Sequence, residues 1–243
     1  MFDAEVVKTK IIKWIAEYFQ STGSPEIKAV IGVSGGKDSS IAAALCVEAL
    51  GKERVLGVLM PQGEQFDIDV AYELCKTLDI AYVEVNIKEP VQAIYKEISD
   101  AGLELNDVAT FNTPARLRMS VLYAVSGIVG GRVVNTGNLS EDWVGYSTKF
   151  GDSAGDFSPL SDLTVAEVKA VGKALGLAPK YIDKTPIDGL SGKTDEDNLG
   201  FKYEVLDRYI REGVCEDEKA KERIDRLHEM NKHKTSPMPG FKL

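Results

Sequence analysis

The residues with the clearest chemical potential lie in one short stretch, Ser34-Gly35-Gly36-Lys37-Asp38-Ser39. An apolar run at 29–33 precedes it and another at 41–45 follows it, which predicts a buried strand, a tight turn and a helix. The two glycines let the backbone turn so that its N–H groups point inward, and the positive end of the helix dipole is directed at the same point. Both features favour an anion there. A carboxylate at Asp38 beside a bound phosphate then requires a divalent cation between them. The stretch therefore predicts a site for phosphate and metal, the alternative being a plain strand-to-helix turn with a capping Asp.

Two other kinds of phosphate loop do not match this spacing. A Walker A loop needs Gly where Ile31 stands and Ser or Thr where Asp38 stands. The Gly-x-Gly-x-x-Gly fingerprint of dinucleotide-binding folds does not occur in the chain. The remaining pattern, Ser-Gly-Gly-x-Asp-Ser, resembles the pyrophosphate loop of the N-type ATP pyrophosphatases. Those enzymes cleave ATP to AMP and pyrophosphate while they adenylate a substrate.

Composition limits the class of protein. A chain of 243 residues with 44% hydrophobic residues predicts one α/β domain over 1–243, without a second module such as a glutaminase. The net charge of −9 disfavours nucleic acid as the main partner, so an anionic substrate needs a local basic cluster. Three cysteines without Cys-x-x-Cys spacing disfavour a disulfide framework or a zinc site. The sequence has no apolar run long enough for a membrane span and begins with an amphipathic helix, so we expect a cytoplasmic protein.

Apolar periodicity predicts that strands and helices alternate. We expect a helix at 3–20, a strand–corner–helix unit at 28–50, strands at 54–60, 80–85 and 132–136, and helices at 68–78, 86–100 and 111–129. Such alternation predicts a doubly wound parallel sheet with helices on both faces. Ligands of these sheets bind at the carboxyl ends of the strands. Gln65, after the second strand, is therefore a candidate to reach a nucleotide, the alternative being a solvated loop amide.

Arg116 and Arg118 are predicted in the early turns of the helix at 111–129. Cations are disfavoured at a helix N-terminus because the positive end of the dipole lies there. We therefore expect an anionic ligand or partner near these arginines, the alternative being a solvated helix face.

A long stretch at 136–160, rich in glycine and carboxylates, follows the fourth predicted strand. Long loops in compact domains usually serve function. Because this one begins at the carboxyl end of a strand, it can bring Glu141 opposite Asp38, and two such carboxylates form a Mg²⁺ site bridged by phosphate oxygens. The alternative is that Glu141 and Asp142 only cap the start of a helix.

Motifs within this loop make the resemblance specific. They are Thr-Gly-Asn-x-Ser-Glu from Thr136, Tyr-x-Thr-Lys-Phe-Gly-Asp-x-Ala-Gly-Asp from Tyr146 and Pro-Leu-x-x-Leu-Thr from Pro159. Together with the glycine corner, residues 193–200 and the Lys-His-Lys of the tail, they resemble the NAD synthetase family over roughly residues 28–240. The resemblance implies amidation of deamido-NAD with ammonia and ATP, which gives NAD, AMP and pyrophosphate through an adenylated intermediate. It also implies a homodimer, and the apolar body of the helix at 116–129 places that helix near the interface, although a buried core helix would look similar.

The resemblance implies a role for each matching residue. ATP would be bound by the corner and two later residues, namely Gly32, Val33, Ser34, Gly35, Gly36, Lys37, Asp38, Ser39, Gln65 and Thr136. Deamido-NAD would be bound by Arg116, Lys149, Asp156, His233 and Lys234, whose basic members form the expected local cluster. Asp38 and Glu141 would hold Mg²⁺ and take part in catalysis. Asp152 would lie beside the reacting centre, where a carboxylate can take a proton from ammonium.

The chain departs from the family at two positions that face phosphate. Val165 stands where many members have Lys, and Ile187 stands where a hydroxyl follows Pro186. Lys37 is the first candidate to replace the missing charge and Lys193 the second, the alternative being that Lys37 is solvated and main-chain amides suffice. The stretch at 185–198 is a candidate lid, with an ordinary surface connection as the alternative.

Two other functions fit part of the pattern. Another ATP pyrophosphatase, such as a tRNA-modifying enzyme, would share 28–50 but not the motif that begins at Tyr146. A non-catalytic nucleotide-binding subunit on this fold would keep the glycine corner but would not need both Asp38 and Glu141.

Overall fold

A computed structural model describes residues 2–21, 24, 26–183 and 194–242. The helices and strands, in chain order, are α1 (Ala4–Ser21), β1 (Lys28–Gly32), α2 (Lys37–Leu50), β2 (Val55–Leu59), α3 (Ile68–Thr77), β3 (Ala81–Glu84), α4 (Lys88–Asp100), α5 (Asp107–Val129), β4 (Gly131–Val133), α6 (Leu139–Val144), α7 (Val165–Ala174), α8 (Pro179–Ile182), α9 (Asp195–Leu199), α10 (Tyr203–Glu212) and α11 (Glu218–Thr235). A short 3₁₀ turn, Lys52–Arg54, precedes β2.

The four strands form one parallel sheet in the order β3-β2-β1-β4. Val30 lies at its centre, paired with Leu56 on one side and Val133 on the other. Every residue of β2 is buried, as expected for a parallel strand with both faces covered. The strand order reverses between β1 and β4, and ligands of such sheets bind in the crevice at this reversal.

Helices cover both faces of the sheet, which confirms the doubly wound α/β fold. Ala29 and Ile31 of β1 pack into the main core with residues of α1, α2, α3 and α7. Gly32, which follows Ile31, faces the other side, where a Cβ built on it would lie 3.6 Å from Leu122 of α5. A second, smaller apolar cluster joins α6 and α7 to α9, α10 and α11.

Helix α5 begins earlier than the sequence predicted. The side chain of Asn106 caps it by accepting a hydrogen bond from the N–H of Ala109 at 2.9 Å, and Pro114 lies inside the helix. Arg116 and Arg118 therefore lie more than two turns into α5, where the dipole at its N-terminus has little effect. The expectation that these arginines belong to the early turns was wrong, and the dipole argument built on it does not apply.

The cysteines are free thiols in this structure. Cys46 and Cys75 lie in the main core, and burial raises the pKa of Cys46 to about 12 and that of Cys75 to about 11. Both side chains therefore pack as small apolar groups rather than act as nucleophiles near neutral pH. Among the described residues, no helix is both long enough and apolar enough to span a bilayer.

Candidate active site

The glycine corner connects β1 to α2 at the carboxyl edge of the sheet. Gly35 has a φ of +75°, and a Cβ built on it would lie 3.0 Å from the backbone nitrogen of Ala71. Gly32 ends β1, and a Cβ there would lie 3.2 Å from the Cε of Met60. Because α2 begins at Lys37, the positive end of its dipole faces the corner. The backbone therefore requires glycine at Gly35 and creates a local preference for an anion.

Hydroxyl groups hold this turn in place. The Oγ of Ser34 lies 3.1 Å from the Oγ of Ser39 and accepts a hydrogen bond from the N–H of Gly36 at 3.3 Å. The carbonyl of Gly36 accepts hydrogen bonds from Ser39 at 3.1 Å and Ser40 at 2.7 Å. Val33, just before the turn, is buried in the main core. These contacts anchor both ends of the corner, so its shape does not depend on a ligand.

Asp38 and Glu141 are brought together around a buried ammonium group. The Nζ of Lys37 lies 2.7 Å from the Oδ2 of Asp38 and 3.5 Å from the Oε1 of Glu141. The Lys37 side chain is 3% exposed, so it is not the solvated group considered as an alternative. Asn138 joins the two acidic residues, because its Nδ2 donates to the Oδ1 of Asp38 and its Oδ1 accepts from the N–H of Glu141, both at 3.1 Å.

The electrostatics of this group favour a cation. Burial alone lowers the pKa of Lys37, but the charges of Asp38 and Glu141 outweigh it and raise the pKa above its ordinary value. Burial and the charge of Asp38 raise the pKa of Glu141 to about 8, against the opposing effect of Lys37. A third carboxyl group, Asp195 of α9, lies 3.4 Å from the hydroxyl of Tyr203, whose ring centre lies 5.9 Å from the Lys37 Nζ. Two carboxyl groups thus contact the Lys37 ammonium, and its charge also acts on the third, Asp195.

Helix α6, which carries Glu141, is held by a buried polar network. Ser140 donates a hydrogen bond to Asp207 of α10 at 2.5 Å and accepts one from the N–H of Val165 at 3.0 Å. The other oxygen of Asp207 accepts from the N–H of Ala166 at 2.9 Å. Val165 itself is 7% exposed and packs in the smaller apolar cluster. The network joins α6 to α7 and α10 and thereby sets the position of Glu141.

Three of the basic residues assigned by resemblance lie in one connected group. The Nε of Arg116, on α5, donates to the carbonyl of Lys149 at 3.2 Å. The Nζ of Lys149 donates to the carbonyl of His233 near the end of α11. Residues from three distant parts of the chain therefore meet around the loop that follows α6.

Lys234 and Asp152 belong to the same region. The Nζ of Lys234 donates to the carbonyls of Gly145 at 2.6 Å and Ser147 at 2.9 Å. Asp152 accepts a hydrogen bond from the N–H of Thr148 at 2.6 Å. Partial burial raises the pKa of Asp152, although that hydrogen bond and the charge of Lys234 oppose the change. The carboxyl group expected beside the reacting centre is thus oriented by its own loop.

Asp156 has a different set of contacts. Its Oδ2 accepts a hydrogen bond from the N–H of Val133 at 2.7 Å, and its Oδ1 accepts one from the hydroxyl of Tyr123 at 3.3 Å. Because β4 is an edge strand, its outer N–H groups need such partners. Both carboxylate oxygens of Asp156 therefore accept hydrogen bonds that stabilise the fold at the edge of the sheet.

Gln65 and Thr136 follow β2 and β4 at the same edge of the sheet as the corner. The side-chain amide of Gln65 donates to Asp67 at 2.9 Å within its own loop. Thr136 is half-buried. Its two chain neighbours are joined by a hydrogen bond, which the N–H of Gly137 donates to the side chain of Asn135 at 3.0 Å. The structure thus places both residues at the predicted edge of the sheet, where the Gln65 amide is hydrogen-bonded to a residue of its own loop.

Some expectations fall on residues that are not described. Ile187, Lys193 and most of the candidate lid at 185–198 lie outside the described residues. The part of that stretch that is described starts at Thr194, which caps α9 through reciprocal hydrogen bonds with Asp197.

Sequence reasoning missed Asn138, Asp195 and Tyr203 as members of the site. Asn138 had a readable signal, because an Asn before Leu-Ser-Glu is a typical N-cap. Asp195 and Tyr203 come from α9 and α10, and no local pattern marks them as neighbours of the glycine corner. Their place in the site depends on how these helices pack.

The strand order and the glycine corner at its reversal define an ATP-binding α/β protein of the N-type ATP pyrophosphatase fold. The family model described as NAD synthase matches residues 7–238. The chain belongs to the NAD synthase family, which confirms the resemblance in the sequence.

Individual relatives agree with this family. The chain is 37% identical over 239 residues to the NH(3)-dependent NAD(+) synthetase of Pyrococcus horikoshii, a match that covers 93% of this chain and 91% of that protein. The structure of NMN synthetase from Francisella tularensis has a TM-score of 0.89 and 32% identity over 99% of this chain and all of that one. NH3-dependent NAD synthetase from Campylobacter jejuni, solved with a nitrate ion, has a TM-score of 0.80 and 29% identity over the whole of both chains.

Replacement of Asn138 by Ala is expected to lower the free energy of unfolding by about 3 kcal/mol, since it removes a helix cap and takes a hydrogen bond from the partly buried carboxylate of Asp38. Asn106→Ala is the matched control, because Asn106 caps α5 in the same way but is exposed, and we expect a loss of about 1 kcal/mol there. Urea unfolding of both variants measures the difference. Equal losses would contradict a special role for Asn138.

Proposed function

We propose that this chain is a ligase that amidates deamido-NAD with ammonia at the expense of ATP and forms NAD, AMP and pyrophosphate. The observation that carries the proposal is the match of nearly the whole chain to relatives named NH(3)-dependent NAD(+) synthetase. The glycine corner and the group formed by Lys37, Asp38 and Glu141 are the chemical features that this reaction requires.

The reaction consists of two displacements. The nicotinate carboxylate of the substrate attacks the α-phosphorus of ATP, and the bond from that phosphorus to the leaving pyrophosphate breaks. Ammonia then attacks the acyl carbon of the adenylate, AMP leaves with the bonding electrons, and a carboxamide remains. The N–H groups of the corner and the dipole of α2 place positive charge where the phosphates lie. Such transfers depend mainly on positioning and charge neutralisation.

The attacking ammonia loses a proton in the second displacement, and Asp152 is the group that we assign to accept it. Its carboxylate is oriented by the N–H of Thr148, and the neighbouring Lys234 stabilises its charged form. Arg116, Lys149 and Lys234 supply the positive charge for the dianionic dinucleotide, and His233 lies beside them, with Asp156 at the β4 edge of the same loop. The contacts among the basic residues support a single substrate-binding region.

The residues at the corner fit Mg²⁺. Among the described residues no group of three His, Cys, Asp or Glu side chains forms a metal centre, so protein ligands at the corner come from the pair Asp38 and Glu141. Mg²⁺ commonly binds one or two carboxylates and takes its other ligands from phosphate and water. The two carboxyl groups already converge on one cation, Lys37. When bound there, Mg²⁺ would neutralise phosphate charge.

The first test is a direct assay with ATP, Mg²⁺, ammonium and deamido-NAD, in which we expect equal amounts of NAD and AMP. The family match spans residues 7–238, so we propose that residues 1–243 form a single NAD synthetase domain. Because the relatives are named NH(3)-dependent, glutamine is not expected to replace ammonium. NAD formation from glutamine without ammonia or a partner protein would contradict this assignment.

A second candidate substrate is nicotinate mononucleotide, which undergoes the same amidation. The higher TM-score to the NMN synthetase, 0.89 against 0.80, favours its inclusion. The same assay with the mononucleotide compares kcat/KM for the two substrates. A larger kcat/KM for the mononucleotide would make it the assigned substrate and would leave the proposed ligase chemistry unchanged.

Asp38→Asn and Glu141→Gln are each expected to lower kcat by roughly a thousandfold, because each removes a charged group that binds the phosphate-bound cation. Circular dichroism should show an intact fold, since neither side chain belongs to the apolar core. Asp162→Asn is the control, because this carboxylate is 96% exposed. Near-normal rates for either site variant at saturating Mg²⁺ would show that the metal assignment is wrong.

We also propose a homodimer that uses α5. Of the 23 residues of this helix, only Pro114 and Ser126 are buried, and Val108 and Ile128 are 67% and 83% exposed. Helix α4, which packs against α5, exposes Ile94, and the turn after it exposes Leu103, while strand β3 exposes Tyr82 and Val83. Exposed apolar side chains on α5 and its neighbour α4 support a protein interface there. Arg116 lies on the same helix, so the interface would border the substrate-binding region.

Ile128→Glu is expected to shift the protein toward a monomer, because it places a charge in the proposed interface. Sedimentation should give about twice the chain mass of 26.5 kDa for the wild type and a smaller species for the variant. Val6→Glu is the control, since Val6 is 48% exposed on α1, which packs on α2 and α7 on the sheet face opposite α5. A wild-type protein that sediments only as a 26.5 kDa species at micromolar concentration would refute the dimer.

The cytoplasm is the compartment that we propose for this reaction. The chain has three free thiols and no disulfide, which suits a reducing environment.

A further inference from the structure

The Lys37 ammonium occupies the space between the two carboxyl groups that we assign to Mg²⁺. It lies 2.7 Å from an oxygen of Asp38 and 3.5 Å from an oxygen of Glu141. Mg²⁺ binds oxygen at about 2.0–2.1 Å, so a divalent ion that contacts both carboxylates would need this same space. Lys37 and the metal therefore cannot both occupy it.

The position of Lys37 is favourable only while the carboxylates surround it. Lys37 is the first residue of α2, where the positive end of the dipole disfavours a cation. The side chain is 3% exposed, so water does little to stabilise its charge. The ammonium can therefore leave Asp38 and Glu141 only when another anion takes their place.

The glycine corner beside this group indicates which anion that is. Lys37 is the first residue after the corner, where the N–H groups and the dipole of α2 favour a phosphate. The cleft that Lys37 also lines contains several carboxyl groups, among them Asp195 and Glu196, so we expect the phosphate at the corner and not in that cleft. A nucleotide phosphate can thus accept the Lys37 ammonium and leave the two carboxylates free for a divalent cation.

We propose that Lys37 is an internal competitor of the divalent cation at Asp38 and Glu141. The inference depends on the magnesium site proposed above. A free divalent cation binds the pair weakly, whereas a nucleotide releases the pair by drawing Lys37 toward its phosphates. Cation and nucleotide therefore bind with positive coupling, which by thermodynamic linkage is the same in both directions. Removal of Lys37 weakens this coupling.

Binding of Mn²⁺, measured by the electron paramagnetic resonance signal of the free ion, tests the proposal without any turnover. In the absence of nucleotide, Lys37→Met is expected to bind Mn²⁺ at least about tenfold more tightly than the wild type, because a charge-assisted contact to the carboxylates is removed. Lys169→Met is the matched control. Lys169 lines the same cleft, but its ion pair is with Asp183 at 3.7 Å. A non-hydrolysable ATP analogue should tighten Mn²⁺ binding more in the wild type than in Lys37→Met.

Two results would overturn the proposal. One is an unchanged Mn²⁺ affinity in Lys37→Met, and the other is an equal gain in Lys169→Met, which would indicate a general effect of charge in the cleft. If Lys37→Met does not fold, the wild type alone decides the question by thermal unfolding. Mn²⁺ alone should then leave the melting temperature unchanged, and Mn²⁺ with the analogue should raise it above the value with the analogue alone. A rise with Mn²⁺ alone of the same size would refute the competition.

The proposal and the proposed function can fail separately. In Lys37→Met, a further Asp38→Asn change should abolish the tight Mn²⁺ binding, which identifies the pair as the site independently of any product. NAD formation by a wild type that binds free Mn²⁺ as tightly as Lys37→Met would leave the ligase assignment intact and refute the role of Lys37. The expected Mn²⁺ results in a protein that forms no NAD would refute the function and support the competition.

Discussion

The contact between one ammonium and two carboxyl groups at the start of α2 is the interaction on which the site depends. A lysine at this end of a helix is disfavoured by the dipole, and buried carboxyl groups are disfavoured by the loss of water. Lys37, Asp38 and Glu141 stabilise one another, so none of them suits this place alone. Buried ion pairs of this kind seldom add much net stability, and they are more useful for setting geometry. Here the geometry brings the glycine corner and α6 to a fixed separation.

Helix α6 has two roles because adjacent residues on a helix point in different directions. Glu141 faces the corner, while Asp142 faces the loop that carries Asp152. Burial and the charge of Asp152 raise the pKa of Asp142 to about 6. One short helix therefore borders both the glycine corner and the loop that carries Asp152. Its anchor is the buried contact between Ser140 and Asp207, which makes the position of both acidic residues depend on α10.

The loop after α6 is ordered by main-chain contacts rather than by regular structure. Asn135 donates hydrogen bonds to the carbonyls of Asp152 and Ala154, at 2.9 and 3.3 Å. Gly155 allows this close approach, since a Cβ there would lie 2.8 Å from the backbone nitrogen of Asn135. The end of β4 and the loop after α6 are thus one unit, and the basic residues from α5 and α11 contact it.

Sequence alone determined the order of the elements as far as β4, the parallel sheet and the glycine corner. Buried parallel strands need continuous apolar runs, and a turn with positive φ needs glycine, so both leave local traces. The motifs around Glu141 and Asp152 were also legible because each is contiguous. The start of α5 was predicted at 111, although its cap lies at Asn106. The surroundings of Lys37 had no local trace. Its ammonium contacts Asp38, the next residue in the chain, and Glu141 of α6, and the ring of Tyr203 of α10 lies close by. Only the packing of these helices decides which partner a flexible side chain reaches.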